Sequence, residues 1–315
     1  MGRFVVRRVL GAIVLLFAVS VVVFAIFEII PSYDPAAAIA GRTASPTDIA
    51  AVKRTFGFDK PVYVQYANTM KQIFTGKIIS YQTRLSVDDQ FRQRFPATLS
   101  LVLPAAILWM GFGILFGTIS AIRAGRLADR LLTVLALGGV SIPVFFLGAV
   151  FLYLFAFKIH IFPNTGYVSF GTNPSEWFYH LILPWITLAI LFVGFYSRVL
   201  RGNMLDAMNQ DYVRTAKAKG LSSRRVLIRH VLRNSLMPII TLFGLDFAAA
   251  IGGAALVTET VFNIPGIGQF EAQAIGHLDI PPILVGAIFT AFFVVLFSAL
   301  VDIVHAMLDP RIRLS

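Results

Sequence analysis

Six stretches of the chain stay apolar for about the 20 residues that a bilayer-crossing helix needs. They cover residues 9–30, 99–122, 131–157, 181–200, 236–258 and 283–307. Arg3, Arg7 and Arg8 precede the first, and Ala38-Ile39-Ala40 after it has the look of a signal cleavage site. Its apolar run exceeds the roughly 7–15 residues of a signal core, which favours a retained helix. Pro104, Pro143, Pro184 and Pro238 sit inside or at the start of apolar runs. Lipid tolerates this only where neighbouring helices re-satisfy the freed backbone groups, so the pattern predicts a packed bundle. Gly113 and Gly117 form a G-x-x-x-G, and Gly138-Gly139 and Gly252-Gly253 interrupt two further runs. Small residues at such spacing predict close helix approach, with packing the ordinary role for each.

Residues 31–95 are a different material. Ser45-Pro46 and Lys60-Pro61 are turn signals, and 62–74 has a helical pattern in which Tyr63, Tyr66 and Met70 share one apolar face. The spacing predicts short helices on the surface of the bundle.

Composition turns this pattern into a class. Of 315 residues, 57% are hydrophobic and 14% charged, against about 45–50% and 25% in soluble domains. The mean hydropathy is +0.78. One soluble core cannot hide that much apolar surface, which excludes a soluble enzyme, a disordered chain and a fibrous repeat. The expectation is an all-α polytopic membrane protein with six transmembrane helices. A net charge of +11 suits cytoplasmic loops that retain Lys and Arg, and nucleic acid is not called for. Arg3, Arg7 and Arg8, the loop with Arg123, Arg126 and Arg130, the 201–235 loop, and Arg311 with Arg313 fall on one side. That distribution predicts cytoplasmic N- and C-termini. Most of the remaining basic residues lie in 31–95, whose length makes its translocation insensitive to charge.

The loop between the fourth and fifth runs, about 201–235, is longer than a helix connection requires. It reads as two short helices broken at Gly220-Leu221-Ser222. The first covers about 205–219 with Gly220 as its C′ glycine, and Ser222 or Ser223 caps the second. Arg225, Arg229 and Arg233 make a basic stripe beside Val226, Leu227, Val231 and Leu232. The residues alone leave two readings open: a helix lying on anionic headgroups, or one docked on another protein.

The run Asp211-Tyr212-Val213-Arg214-Thr215-Ala216-Lys217-Ala218-Lys219-Gly220-Leu221, followed by Arg229-His230 and Asn234-Ser235-Leu236-Met237-Pro238, resembles the EAA loop of ABC-importer permeases. The nearest form is that of the dipeptide/oligopeptide/nickel group. Further likenesses run along the chain: Gly57-Phe58-Asp59-Lys60-Pro61, Phe95-Pro96-Ala97-Thr98-Leu99, Ser141-Ile142-Pro143, Pro163-Asn164-Thr165-Gly166-Tyr167, Glu259-Thr260-Val261-Phe262, Pro265-Gly266-Ile267-Gly268, Asp279 with Pro281, and Asp309-Pro310-Arg311. Arg214 stands where the general motif has Glu, and Gly76-Lys77 where relatives show Gly-Asp. The resemblance implies the type I ABC-importer transmembrane fold, divided into residues 1–95 (first helix and extracytoplasmic segment) and 96–309 (permease domain). It further implies a multi-pass protein of a bacterial or archaeal cell membrane, a second homologous permease subunit, two cytoplasmic ATPase subunits and an extracytoplasmic substrate-binding protein. ATP and Mg would be bound by the ATPases, and no cofactor by this chain. The loop residues implied in coupling are Asp211, Arg214, Thr215, Ala216, Lys217, Gly220 and Leu221, with Ala216 and Gly220 small enough for close contact.

Candidate chemistry within the runs is sparse. Asp246 is the most conspicuous intramembrane charge, and a carboxylate there should face a partner or an aqueous cavity. It is a candidate for the translocation path, the alternatives being a hydrogen-bonded packing residue or a subunit contact. Glu28 and Glu259 fall near the outer boundary, where water can reach them, and Glu259 is a second path or gating candidate. Asp302 and His305 are structural candidates at helical neighbour spacing. His160, His180, His230, His277 and His305 form no ligand cluster, and no G-x-x-x-x-G-K-[ST] occurs, so neither a metal centre nor catalysis is expected. An ion-coupled transporter or channel would favour inverted repeats and several midplane charges; an intramembrane enzyme would need a paired nucleophile and base.

Overall fold

The computed structural model describes residues 2–29, 35–41 and 44–308. Arg311, Arg313 and the Asp309-Pro310-Arg311 motif lie outside the described residues, as do the side chains of Arg3, Arg7, Arg8 and Glu28. The regular elements of the described part are all helices, apart from a single antiparallel bridge between Ile79 and Ser86.

α1 (Gly2–Phe24) is followed by three short helices, α2 (Pro35–Ala40), α3 (Pro46–Phe56) and α4 (Val62–Phe74). α3 starts where Ser45 and Asp48 form a reciprocal capping box with Pro46 at the first turn, and stops at Gly57 in the left-handed region. α4 covers the predicted stretch, but its apolar face is narrower than expected. Met70 is buried and Tyr66 packs edge-on against Phe17 and Phe24 of α1, while Tyr63 is 75% exposed.

α5 (Val87–Ile122) and α8 (Pro174–Met208) are the two longest helices and pack along their lengths. Both absorb internal prolines, Pro96 and Pro104 in α5 and Pro184 in α8. Between them the predicted third span is two helices, α6 (Leu127–Ser141) and α7 (Val144–Phe151), the second continuing as a π-helical turn to Lys158; the pair bends by 100°. The cause is local: Pro143 forces Ile142 out of the helical region to φ −85°, ψ 124°. Pro143 therefore breaks the span rather than kinking it.

The loop helices also differ from expectation. α8 runs on to Met208, so the first loop helix is only α9 (Asp211–Ala218), and Gly220 (φ +77°) follows its end. The second is no separate element. α10 (Ser223–Val226), with Ser222 at its N-cap, continues through a π-helical stretch into α11 (Arg233–Ala249) as one apolar helix from Ser223 to Ala254. That helix ends at Gly253, whose φ of +118° turns the chain into α12 (Leu256–Val261), α13 (Ile267–Gly276) and α14 (Ile280–Leu308). Among the described residues, five helices are long and apolar enough to cross a membrane, or six if the bent pair counts as one.

Packing divides the bundle into two units. α5, α6 and α8 form one, α1, α11 and α14 the other. Glycines set the spacing in the first: Gly113 and Gly117 of α5 lie on Tyr196, Ser197 and Leu200 of α8, and Gly139 lies on Ile190. The predicted close approach is therefore present at these three, whereas Gly138 faces open space. In the second unit, His305 of α14 reaches the Met237 carbonyl and the Thr241 hydroxyl of α11, at 3.2 and 3.3 Å.

Candidate functional site

Three features build the site. At one end of the bundle, α9 turns Val213 and Ala216 inward, where they join the main core with Val226 and Val231. Ala216 thus serves packing within this chain. Asp211, Tyr212, Arg214, Thr215, Lys217 and Gly220 remain exposed, and Leu221 is half-buried. Asp211 and Arg214 approach at 3.6 Å as an open surface pair, an interaction that adds little stability. The aromatic Tyr212 is also exposed on this face, although the sequence reading did not single it out.

Along the middle, α5, α6 and α8 enclose an open apolar groove of about 1080 Å³, lined by residues that include Pro104, Phe112, Leu135, Trp177, Trp185 and Val193. Asp246 does not line it. Its carboxylate accepts a 2.7 Å hydrogen bond from Tyr196 Oη, linking α11 to α8 across the two packing units.

At the opposite end, motifs that are far apart in sequence meet at one carboxylate. Glu259 of α12 is fully buried, not reached by water as its position suggested. Its Oε1 accepts from Thr98 Oγ1 at 2.7 Å and its Oε2 from the Gln269 backbone N–H at 2.8 Å, with the Gly268 N–H also donating. Thr98 Oγ1 in turn accepts from Ile267 N–H at 2.8 Å. The first N–H groups of α13 are thereby satisfied by an anion at the positive end of the helix dipole. Burial pushes the Glu259 carboxyl up, while Thr98, the two N–H groups and the charge of Arg94 pull it down. Gly266 and Gly268 are required by distance alone. A Cβ on Gly266 would overlap the Glu259 carboxyl, and one on Gly268 would sit 2.6 Å from Leu256 Cα. The Pro163–Tyr167 motif joins the same corner through Gly166 N–H to the Phe262 carbonyl at 3.0 Å and Tyr167 Oη beside Ser100 Oγ at 3.1 Å. Asp279 holds the preceding surface segment, accepting from Ser80 Oγ at 2.5 Å and from Tyr81 N–H at 2.8 Å.

Glu271 of α13 lies one turn beyond this cluster. Its carboxyl packs into the space left by Gly253 and Gly286, and Oε1 has no hydrogen-bond partner. Burial, with a smaller push from the negative Glu259, raises its pKa from 4.5 to about 8. The folded state then holds this proton more tightly than the unfolded one, so its stabilisation is complete below 4.5 and is lost as pH rises to about 8. Thermal melting of the purified protein is expected to fall by several degrees between pH 5 and 9, and Glu271→Gln to flatten the profile. An unchanged slope in the variant would remove Glu271 as the cause. Among the described residues no three His, Cys, Asp or Glu side chains converge on a metal position.

The description "binding-protein-dependent transport system inner membrane component" matches residues 113–314, and the N-terminal counterpart of that family matches residues 1–102. The chain is 38% identical to a probable peptide ABC transporter permease protein of Sinorhizobium fredii, over 99% of this chain and 100% of that one. It is 36% identical to the di/tripeptide transport system permease protein DppB of Pseudomonas aeruginosa and 33% identical to the glutathione transport system permease protein GsiC of Escherichia coli, each covering 99% of both chains.

Proposed function

The chain belongs to the family of binding-protein-dependent transport system inner membrane components, and from that membership we propose that it is the permease subunit through which an ABC importer moves peptides or similar small solutes. Its relatives carry names of peptide, di/tripeptide and glutathione permeases, which supports a short peptide or peptide-like cargo. The observation that carries the mechanism is α9: a short helix anchored inward by Val213 and Ala216, with its polar face and Tyr212 left open.

In this reading α9 faces the cytoplasm, both termini lie on the same side, and Asp211, Tyr212, Arg214, Thr215, Lys217, Gly220 and Leu221 meet an ATPase subunit. Two ATPases bind ATP and Mg, a second homologous permease completes the pathway, and an extracytoplasmic protein delivers cargo to the end that carries α13. Closure of the ATPases displaces α9, and because α9 is packed into the core the helices follow as rigid bodies. Cargo biases the equilibrium only by binding one state better than the other. Asp246, with its bond across the α8–α11 seam, changes environment when the two packing units shear. The gating role falls to Glu259, which fixes α13.

Proteoliposomes holding the whole complex test this. ATP-dependent peptide uptake that ceases without the binding protein is the expected result; uptake that persists without ATP on an ion gradient would overturn it. Gly220→Trp is expected to weaken ATPase association about tenfold, or ~1.4 kcal/mol, with membrane insertion intact. Gly220 is exposed and a Cβ there meets nothing within 4 Å, so the bulk projects toward the partner. Its positive φ adds about 1–2 kcal/mol of local strain. Unchanged association, measured by co-purification, would remove this loop as the docking site.

A further inference from the structure

Asp129 is buried at 4% exposure near the start of α6, at the α9 end of the bundle. Five donors surround it, the farthest being Thr133 Oγ1 of α6 at 3.5 Å from Oδ1. Arg201 of α8 gives Nε to Oδ1 at 2.7 Å and Nη2 to Oδ2 at 2.8 Å, a two-pronged pair. Gly125 N–H, in the α5–α6 turn, donates to Oδ2 at 2.8 Å, and Ser120 Oγ of α5 donates to Oδ1. One carboxylate therefore ties together α5, the following turn, α6 and α8. Removing two charges from water offsets most of their attraction, so such a pair is a weak source of stability. What a two-pronged, fully bonded pair does supply is fixed geometry. Arg201 lies on the last turns of α8, just ahead of α9, and the same three helices form the walls of the apolar groove.

We propose that Asp129 is a positioning residue that locks the α9 ends of α5, α6 and α8 into one rigid unit, so that displacement of α9 reorients the groove without changing its shape. The proposal rests on the reading of α9 as the ATPase contact. Without the lock, α8 could follow α9 while α6 stayed behind, and nucleotide hydrolysis would proceed without moving the groove. The other side of the joint is the α1–α11–α14 unit, which no ion pair to Asp129 reaches among the described residues.

The chain has no cysteine, so spin labels can be placed at will within it. Leu127 on α6, Asp206 on α8 and Ile303 on α14 are all exposed. In the reconstituted complex, the distance between labels at Leu127→Cys and Asp206→Cys is expected to stay constant between nucleotide-free and ATP-bound states. The Asp206→Cys to Ile303→Cys distance is expected to change. A nucleotide-dependent Leu127–Asp206 distance overturns the rigid unit even when the second pair moves as expected. If neither pair moves, the ATPase-coupling reading itself fails, and this inference with it. In Asp129→Asn the first distance is expected to broaden, and peptide transported per ATP hydrolysed to drop about tenfold. Asp129→Glu, which keeps the charge, is expected to recover part of that ratio. A fall in transport and hydrolysis by the same factor in both variants would mean that Asp129 serves only the fold.

Discussion

Gly117→Val is expected to abolish recovery of folded protein, while Gly111→Val, six residues earlier on the same helix, leaves it near the wild-type level. A Cβ at Gly117 would stand 2.8 Å from the Ser197 carbonyl oxygen and 3.0 Å from Leu200 Cβ, and one at Gly113 2.8 Å from Tyr196 Cβ. These obstacles are backbone and first side-chain atoms, which cannot swing aside, so α5 and α8 must separate. Overpacking of this kind costs about 1–3 kcal/mol where local shifts absorb it. Here separation would also pull Tyr196 from Asp246 and Arg201 from Asp129, whose bonds are at 2.7 Å, and would open the core around Trp109, which is wholly buried. At Gly111 an added Cβ meets nothing within 4 Å, and replacing glycine in a helix is favourable in itself. The monodisperse fraction after detergent extraction reads the difference. Equal recovery of the two variants would mean that α5 and α8 are not held by glycine contact.

Hydropathy was sufficient to locate the crossing helices, because the length and apolarity of a span are one-dimensional quantities. The helix α4 was also legible, since periodicity is local, whereas Ser45-Pro46 read only as a turn signal and in the structure caps α3. Pro143 was seen but its effect was not. Whether a proline kinks or breaks a span depends on what stands beside the freed carbonyls, and α6 and α7 separate there by 100°. The continuity of 223–254 was hidden for a related reason: the basic residues Arg224, Arg225, Arg229 and Arg233 mark the start of that helix as polar, although all four are exposed on it. The site was legible in pieces. Thr98, Glu259 and Ile267 each lay within a motif, but their meeting joins α5, α12 and α13 across 161 and 169 residues of sequence. Asp129 and Arg201, 72 residues apart, carried no signal at all. A carboxylate beside a turn rich in arginine is unremarkable until the fold buries it.

Glu259→Leu is expected to be the most damaging single change at the α13 end, and Glu259→Gln to fall between it and the wild type. Leucine matches the volume and suits the apolar surroundings, so the cost arises from what it leaves behind. The Thr98 hydroxyl and the N–H groups of Gly268 and Gln269 lose their acceptor in a place water does not reach. Leaving these buried neutral donors without an acceptor costs about 1–3 kcal/mol each. Glutamine keeps one carbonyl oxygen for Thr98 or for the backbone but turns an NH2 toward donors, so about 1–3 kcal/mol is lost. What remains to hold α13 is mainly apolar, Ile267 and Phe270 against Ile78, Val87 and Phe91, helped by Arg94 over the Phe270 ring at 4.8 Å and by the single bonds of Ile267 N–H to Thr98 and of Gln269 Nε2 to Asn263. These contacts keep the helix near its place but do not fix its first turn, so the Leu variant is expected to be cut readily by protease between α12 and α13. Melting temperature and proteolysis together decide the matter. If Glu259→Leu melts with the wild type and resists cleavage, the apolar face alone secures α13, and the carboxylate is not what closes this end of the bundle.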